Sequence, residues 1–289
     1  MDFKFLQNPL SKNWVVLAPR RKYRPDEAKE EISFCPFCPG REENEPEVYR
    51  VGGESGDSNW PASNASQSDA GWQIRVISNK FPFAPIHEIV IHSQDHHKNF
   101  EELPLSQVEL IFKTYKQRFN THKDKGQVYI FHNHGERAGE SLPHPHTQIA
   151  VIPNEVSLDM PHLSIEEEVE EVAKDQVALE TSLLELFCPK SSQWPDEVWI
   201  HPKRSGTYFG EITDEEISDL AKATVKLIKI LSSRHGAEFP YNFYIYPGKD
   251  WYLRLIPRDK SLGGFEIGTG IFVNTQDPQD CIGFIKENF

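Results

Sequence analysis

Cysteine is scarce in this chain: four in 289 residues. That is too few for a disulfide scaffold. Long hydrophobic runs are absent too, since no apolar stretch approaches the roughly 20 residues that span a bilayer as a helix. The opening segment MDFKFLQNPLSKNW lacks the basic-then-apolar layout of a secretory signal. Basic residues are in deficit, with 31 Lys and Arg against 44 Asp and Glu and a formal net charge of -13. A surface of that sign repels polynucleotides and anionic membranes. Together these absences predict a cytoplasmic globular protein with neither a nucleic-acid nor a membrane partner. A hydrophobic content of 38% over this length is sufficient for a packed core.

The chain also echoes itself. HEIVIHSQDHHKNFEELPLSQVELIFKTYKQRF reads as strand, polar loop, acidic cap and helix, and DEVWIHPKRSGTYFGEITDEEISDLAKATVKLI repeats that order. His92 and His201, Phe100 and Phe209, and Glu102 and Glu211 all lie 109 positions apart. Each copy runs on into two strand-like segments, QVYIFHNHG with HPHTQIAVIP and YNFYIYPGK with DWYLRLIP. The expected architecture is α+β, with two tandem related halves, each an antiparallel sheet with a packed helix. The halves are placed at residues 1–160 and 161–289. Between the copies, LSIEEEVEEVAKDQVALETSLLELF reads as helix with a solvated acidic face. Residues 51–71, rich in Gly, Ser, Asn and Asp, read as a long loop.

Only the first half keeps histidines in its closing strand. Side chains alternate faces along a strand, so His144, His146 and Gln148 of HPHTQ share one face. Three such groups on a buried face are costly unless they meet a ligand, a metal or one another. Pro145 restricts His144 and suits a strand start or a sheet edge. Isolated histidines such as His87, His122, His162 and His235 read instead as satisfied or surface residues. Cys35 and Cys38 in FCPFCPG have the spacing of a zinc knuckle, which requires further ligands from elsewhere. A redox Cys-x-x-Cys is the rival reading. Cys188 and Cys281 read as isolated packed thiols.

HPHTQ, preceded by FHNHGERAGES and by CPFC, closely resembles the galactose-1-phosphate uridylyltransferase branch of the histidine-triad superfamily. VVLAPRRKYRP, ISNKFPF, SQDHHKN and IPRDKSLGGFEIGTG extend the likeness over nearly the whole chain. The resemblance implies two tandem histidine-triad-like halves, the first catalytic and the second degenerate. It makes His146 the nucleophile that takes a nucleotidyl group from a UDP-sugar, and Gln148 the contact to the phosphoryl oxygens. By the same likeness Arg21, Arg24, Asn79, Asn133, Gly139 and Ser141 bind nucleotide and phosphate, and Lys260, Phe265 and Glu266 bind the sugar 1-phosphate. His96 and His144 would complete a Cys2His2 zinc site, with His97 as the rival to His96. One structural zinc and a homodimer follow from the resemblance.

The sequence departs from the family in two places. Asp250 and Tyr252 replace histidines of a second metal site, leaving Glu155 as its one match, so no second metal is expected. His134 follows Asn133 where relatives frequently have lysine. The expected activity is exchange of UMP between UDP-hexose and hexose 1-phosphate. Phosphorolysis of a nucleotide sugar such as ADP-glucose is the alternative enzyme reading, and a non-catalytic nucleotide-binding protein is the alternative of another class.

Overall fold

The structure is a computed structural model and describes residues 3–23, 35–52, 71–163 and 175–289. Twelve strands are described: β1 (Lys4–Gln7), β2 (Trp14–Leu17), β3 (Glu47–Gly52), β4 (Trp72–Ser78), β5 (Ile86–Ile91), β6 (Gln127–His134), β7 (His146–Ile152), β8 (Val177–Glu180), β9 (Leu184–Phe187), β10 (Val198–Pro202), β11 (Tyr241–Ile245) and β12 (Leu253–Pro257). The helices are α1 (Leu105–His122), α2 (Asp214–His235), α3 (Gly264–Thr269) and α4 (Pro278–Asn288).

Strands β1 and β2 form a separate hairpin. The other ten make one antiparallel sheet in the order β3-β4-β5-β7-β6-β11-β12-β10-β9-β8. Reading outward from the central β6–β11 pair, the order on one side repeats on the other. The internal echo of the sequence is thus an internal symmetry of the sheet, and the two halves meet through backbone hydrogen bonds. Helices α1 and α2 begin at Leu105 and Asp214, and the short turns ahead of them, Phe100–Glu102 and Phe209–Glu211, keep the same 109-residue offset. Helix α2 is started by a capping box: Thr213 accepts the Glu216 N–H at 3.1 Å, and the Glu216 carboxylate accepts the Thr213 N–H at 2.7 Å.

Both long helices lie on one face of the sheet and bury a single core that includes Val90, Phe112, Val128 and Val151 from the first half and Ile200, Leu227, Phe243 and Leu255 from the second. Phe100 is fully buried in that core, 5.6 Å from both Phe112 and Phe243, ring to ring. It therefore binds the halves together. The opposite face is dressed differently in each half. In the second it is closed by Trp199, Tyr246 and Tyr252 and by a buried Arg254–Glu197 ion pair at 2.8 Å. In the first it carries His146 and Gln148.

Three expectations are corrected. The helix read from Leu163 to Phe187 is not present over its described C-terminal part, where β8 and β9 form a hairpin instead. Leu184 and Leu186 point into the core while Glu185 and Phe187 do not, a period of two that pairing with β10 enforces. The Asp219 carboxylate of α2 fixes the turn, accepting from Thr181 Oγ1 at 2.6 Å and from the Leu183 N–H at 3.1 Å. Residues 164–174 of that segment lie outside the described residues. Of the loop expected at 51–71, Val51 and Gly52 belong to β3, and 53–70 lie outside the described residues. Cys188 and Cys281 are packed thiols but not isolated ones, since their sulfurs lie 3.3 Å apart in the core. Among the described residues, no helix is long and apolar enough to cross a membrane.

Candidate active site and metal centre

His146 opens β7, directly after Pro145. The start of the strand is where a proline without an N–H is tolerated, and β7 itself is no edge, lying between β5 and β6. His146 and Gln148 are each 5% exposed and share the outer face. The His146 Nδ1 lies 2.9 Å from the carbonyl oxygen of His144. A carbonyl only accepts, so Nδ1 carries a proton, and in the neutral ring the lone pair is the one on Nε2. The Phe37 ring packs in a T-shaped arrangement with the imidazole, at 5.3 Å between centroids.

Behind β7 lies a buried polar layer. His132 Nδ1 donates to the backbone oxygen of His146 at 2.9 Å. The Tyr115 hydroxyl donates to Thr147 Oγ1 at 2.6 Å, which leaves the Thr147 hydroxyl proton for His92 Nε2 at 2.8 Å. Burial depresses both His92 and His132 well below the ordinary imidazole range, so both rings are neutral.

On the outer side, the knuckle packs Phe37 and Cys35 against Ile77, Ile89 and Ile91. Cys35, Cys38, His96 and His144 offer four donor atoms within 4.8 Å of one another. His144 Nδ1 is 3.7 Å from each sulfur, and His96 Nδ1 is 3.2 Å from Cys38 Sγ. A tetrahedral zinc with bonds of about 2.0–2.3 Å separates its ligand atoms by about 3.3–3.8 Å, close to the three separations of 3.2–3.7 Å given above. His144 donates its other nitrogen to the Ser93 carbonyl at 2.9 Å, turning Nδ1 toward the sulfurs. Burial lowers His144 to about 4, keeping it neutral, and pushes the Cys35 thiol up to about 12. A buried thiol of that kind ionises only beside a compensating cation. His97, the rival to His96, is exposed and lies outside the cluster. The geometry suits a metal better than a redox pair, because two imidazoles share the pocket with the sulfurs.

The remaining expected residues fall into three groups. Asn79 and Arg21 come near Gln148 through intermediates. Asn79 Oδ1 accepts the Phe81 N–H at 2.9 Å, and Arg21 donates to the Phe81 carbonyl at 2.6 Å with its guanidinium 4.9 Å from the centre of the Phe83 ring. Asn133 lies near the end of β6, and Gly139 lies in the loop that follows it. Asn133 accepts from Asn242 at 2.8 Å, and Gly139 takes a left-handed φ of 84° that suits a residue without a Cβ. Ser141, nearly buried, follows. Lys260, Phe265 and Glu266 sit in the C-terminal arm, where Lys260 donates to the Val273 carbonyl at 2.8 Å and Glu266 caps the Gly263 N–H at 3.1 Å. Phe265 is exposed. Arg137 reaches the Asp259 carbonyl at 3.4 Å and links this arm to the Asn133 loop. Arg24 lies outside the described residues. Glu155 is exposed.

One residue at the site was not expected from the sequence. His87, read as a satisfied or surface histidine, is 4% exposed, and its Nε2 lies 3.0 Å from Gln148 Oε1. The signal for it is the antiparallel pairing of β5 with β7, which sets His87 opposite Ala150 and next to Gln148 on the same face. That pairing is not visible from either strand alone.

An oriented imidazole beside an amide thus lies on one face of a duplicated antiparallel sheet. Residues 77–152 match the family model for the galactose-1-phosphate uridyl transferase N-terminal domain. The ADP-glucose phosphorylase of Arabidopsis thaliana is 28% identical over 97% of this chain and 92% of its own. The galactose-1-phosphate uridylyltransferase of Thermotoga maritima is 25% identical over 97% of this chain and 96% of its own. The crystal structure of the Arabidopsis thaliana ADP-glucose phosphorylase with bound ADP-glucose superimposes with a TM-score of 0.74 at 25% identity, covering 99% of each chain. Over nearly its whole length the chain is thus similar to a galactose-1-phosphate uridylyltransferase and to an ADP-glucose phosphorylase.

Proposed function

We propose that the protein moves a nucleotidyl group from a nucleotide sugar to a phosphate-bearing acceptor through a covalent intermediate on His146. The observation that carries this reading is the bond from His146 Nδ1–H to its own chain at His144, which commits the lone pair to Nε2. In the first half-reaction Nε2 forms a bond to the α-phosphorus while the bond to the bridging oxygen breaks, and its electron pair leaves with the sugar 1-phosphate. In the second, a phosphate oxygen of the acceptor attacks the same phosphorus and the electron pair of the P–N bond returns to Nε2. Splitting the exchange this way avoids a direct encounter of two anions.

Gln148 donates an amide N–H to the phosphoryl oxygens, a neutral group that stabilises the transferring phosphate without supplying a proton. Gly139, Ser141 and Asn133 line the phosphate side, and Arg21 and Asn79 support the nucleotide side. Lys260, Phe265 and Glu266 receive the second substrate. Cys35, Cys38, His96 and His144 hold one zinc. A closed four-ligand zinc supplies a tether rather than an open coordination position. The tether joins the knuckle that presents Phe37 to the strand that presents His146.

The donor and acceptor pair is assigned as UDP-hexose and hexose 1-phosphate. A second reading, ADP-glucose with inorganic phosphate as acceptor, is favoured by the likeness to the Arabidopsis phosphorylase. Discharge of the loaded protein separates the two. Protein loaded from UDP-glucose and then mixed with galactose 1-phosphate should release UDP-galactose. Discharge by phosphate alone, with loading from ADP-glucose, supports phosphorolysis and overturns the uridylyl assignment.

A further inference from the structure

We propose that His87 is a positioning residue that fixes which end of the Gln148 amide faces the substrate. The proposal rests on the nucleotidyl-transfer reading above. A glutamine amide has nearly the same shape either way round, yet only one orientation presents N–H donors to a phosphoryl oxygen, and the other presents a repelling carbonyl. Something must break that tie.

His87 sits on β5, one strand away from β7, and is buried at the same face as Gln148. Its Nδ1 accepts the Phe83 backbone N–H at 3.4 Å, which puts the ring proton on Nε2. That nitrogen lies 3.0 Å from Gln148 Oε1. With a donor held against Oε1, the amide nitrogen of Gln148 is turned to the opposite side. Asn79 Nδ2 lies 3.2 Å from the same His87 nitrogen, and one Nε2 cannot both accept from Asn79 and donate to Gln148. The Phe83 N–H decides between them by occupying the other lone pair, and the shorter contact is the one to Gln148.

The ring is itself held. It lies 4.2 Å from the Phe83 ring, and Arg21 covers Phe83. The Asn79 backbone N–H donates to the His87 carbonyl at 2.8 Å. Arg21, Phe83 and His87 thus form a stack behind Gln148, and a histidine at this place can be rotated neither in χ nor in tautomer without breaking one of these contacts.

The test is the single-turnover rate of adduct formation on His146, followed at several concentrations of UDP-glucose and, separately, of ADP-glucose. His87→Phe keeps a ring against Phe83 and removes the donor. It should slow adduct formation by up to about 100-fold, the order expected for a misplaced reacting group, and leave half-saturation little changed. His87→Gln restores a side-chain N–H and should recover part of the rate. Combined with Gln148→Ala, His87→Phe should add no further loss, because its effect runs through that amide. Should His87→Phe fail to fold, His87→Leu takes its place against His87→Gln. A donor-less variant as fast as wild type overturns the proposal, and so does a loss that adds in full to that of Gln148→Ala. A wild type that forms no adduct from either nucleotide sugar overturns the transfer reading itself and this proposal with it, whereas a loaded wild type with an unaffected His87 variant overturns only the positioning role.

Discussion

At the scale of single residues, titration behaviour follows from what each side chain packs against. Burial raises the Glu140 carboxyl to about 7, and its Oε2 accepts the Gly135 N–H at 2.7 Å, closing the loop that carries Gly139. A carboxyl whose folded value is raised contributes stability that is complete below its ordinary value near 4.5 and is lost as pH climbs through about 7. Glu140→Gln keeps an acceptor for Gly135 and never ionises. It should raise Tm over wild type near pH 8 and match wild type near pH 4.5, by thermal unfolding at each pH. An equal difference at both would contradict a buried, proton-holding Glu140. His146 and Gln148 could be read from one strand because period-two alternation is local. His87 could not, because its role depends on which strand lies beside β7, and nothing within HEIVIH specifies that neighbour.

At the scale of elements, the Cys35, Cys38, His96 and His144 cluster is where the knuckle meets the sheet, and the proposed zinc would fasten the two together. Cys35 and Cys38 come from the knuckle, His96 from the loop after β5 and His144 from the approach to β7. Metal analysis of the purified protein should find about one zinc per chain. Cys38→Ser should lose it and lower Tm by several degrees, each kcal/mol being worth about 2–4 °C in domains of about 150–250 residues. It should also slow adduct formation, because Phe37 rests against His146. A metal-free protein of unchanged Tm would remove the centre from the fold. The long helices were legible, since α1 and α2 carry 3.6-residue apolar spacing and α2 its own capping box. The β8–β9 hairpin was not. Its apolar residues fit a helical spacing as well as a strand's, and the choice is made by pairing with β10 and by Asp219, 38 positions beyond Thr181.

At the scale of the whole molecule, the duplicated halves share one sheet and one core, and their outer faces have diverged. Where the first half presents His146 and Gln148, the second stacks Trp199 on Tyr252 at 4.3 Å and closes over the Arg254–Glu197 pair. A single core implies a single cooperative transition. Phe100→Ala, which removes a ring shared by both halves, should cost about 3–5 kcal/mol and still give one coincident transition by fluorescence and far-UV circular dichroism. Two separate transitions would show that the halves fold independently.

The central claim is that the Nε2 of His146 attacks a nucleotide's α-phosphorus. Intact-mass measurement after brief incubation with UDP-glucose or ADP-glucose should show wild-type protein heavier by one nucleoside monophosphate unit, and His146→Ala unchanged. An adduct that persists on His146→Ala, or a folded wild type that gains no mass from either sugar nucleotide, would contradict it.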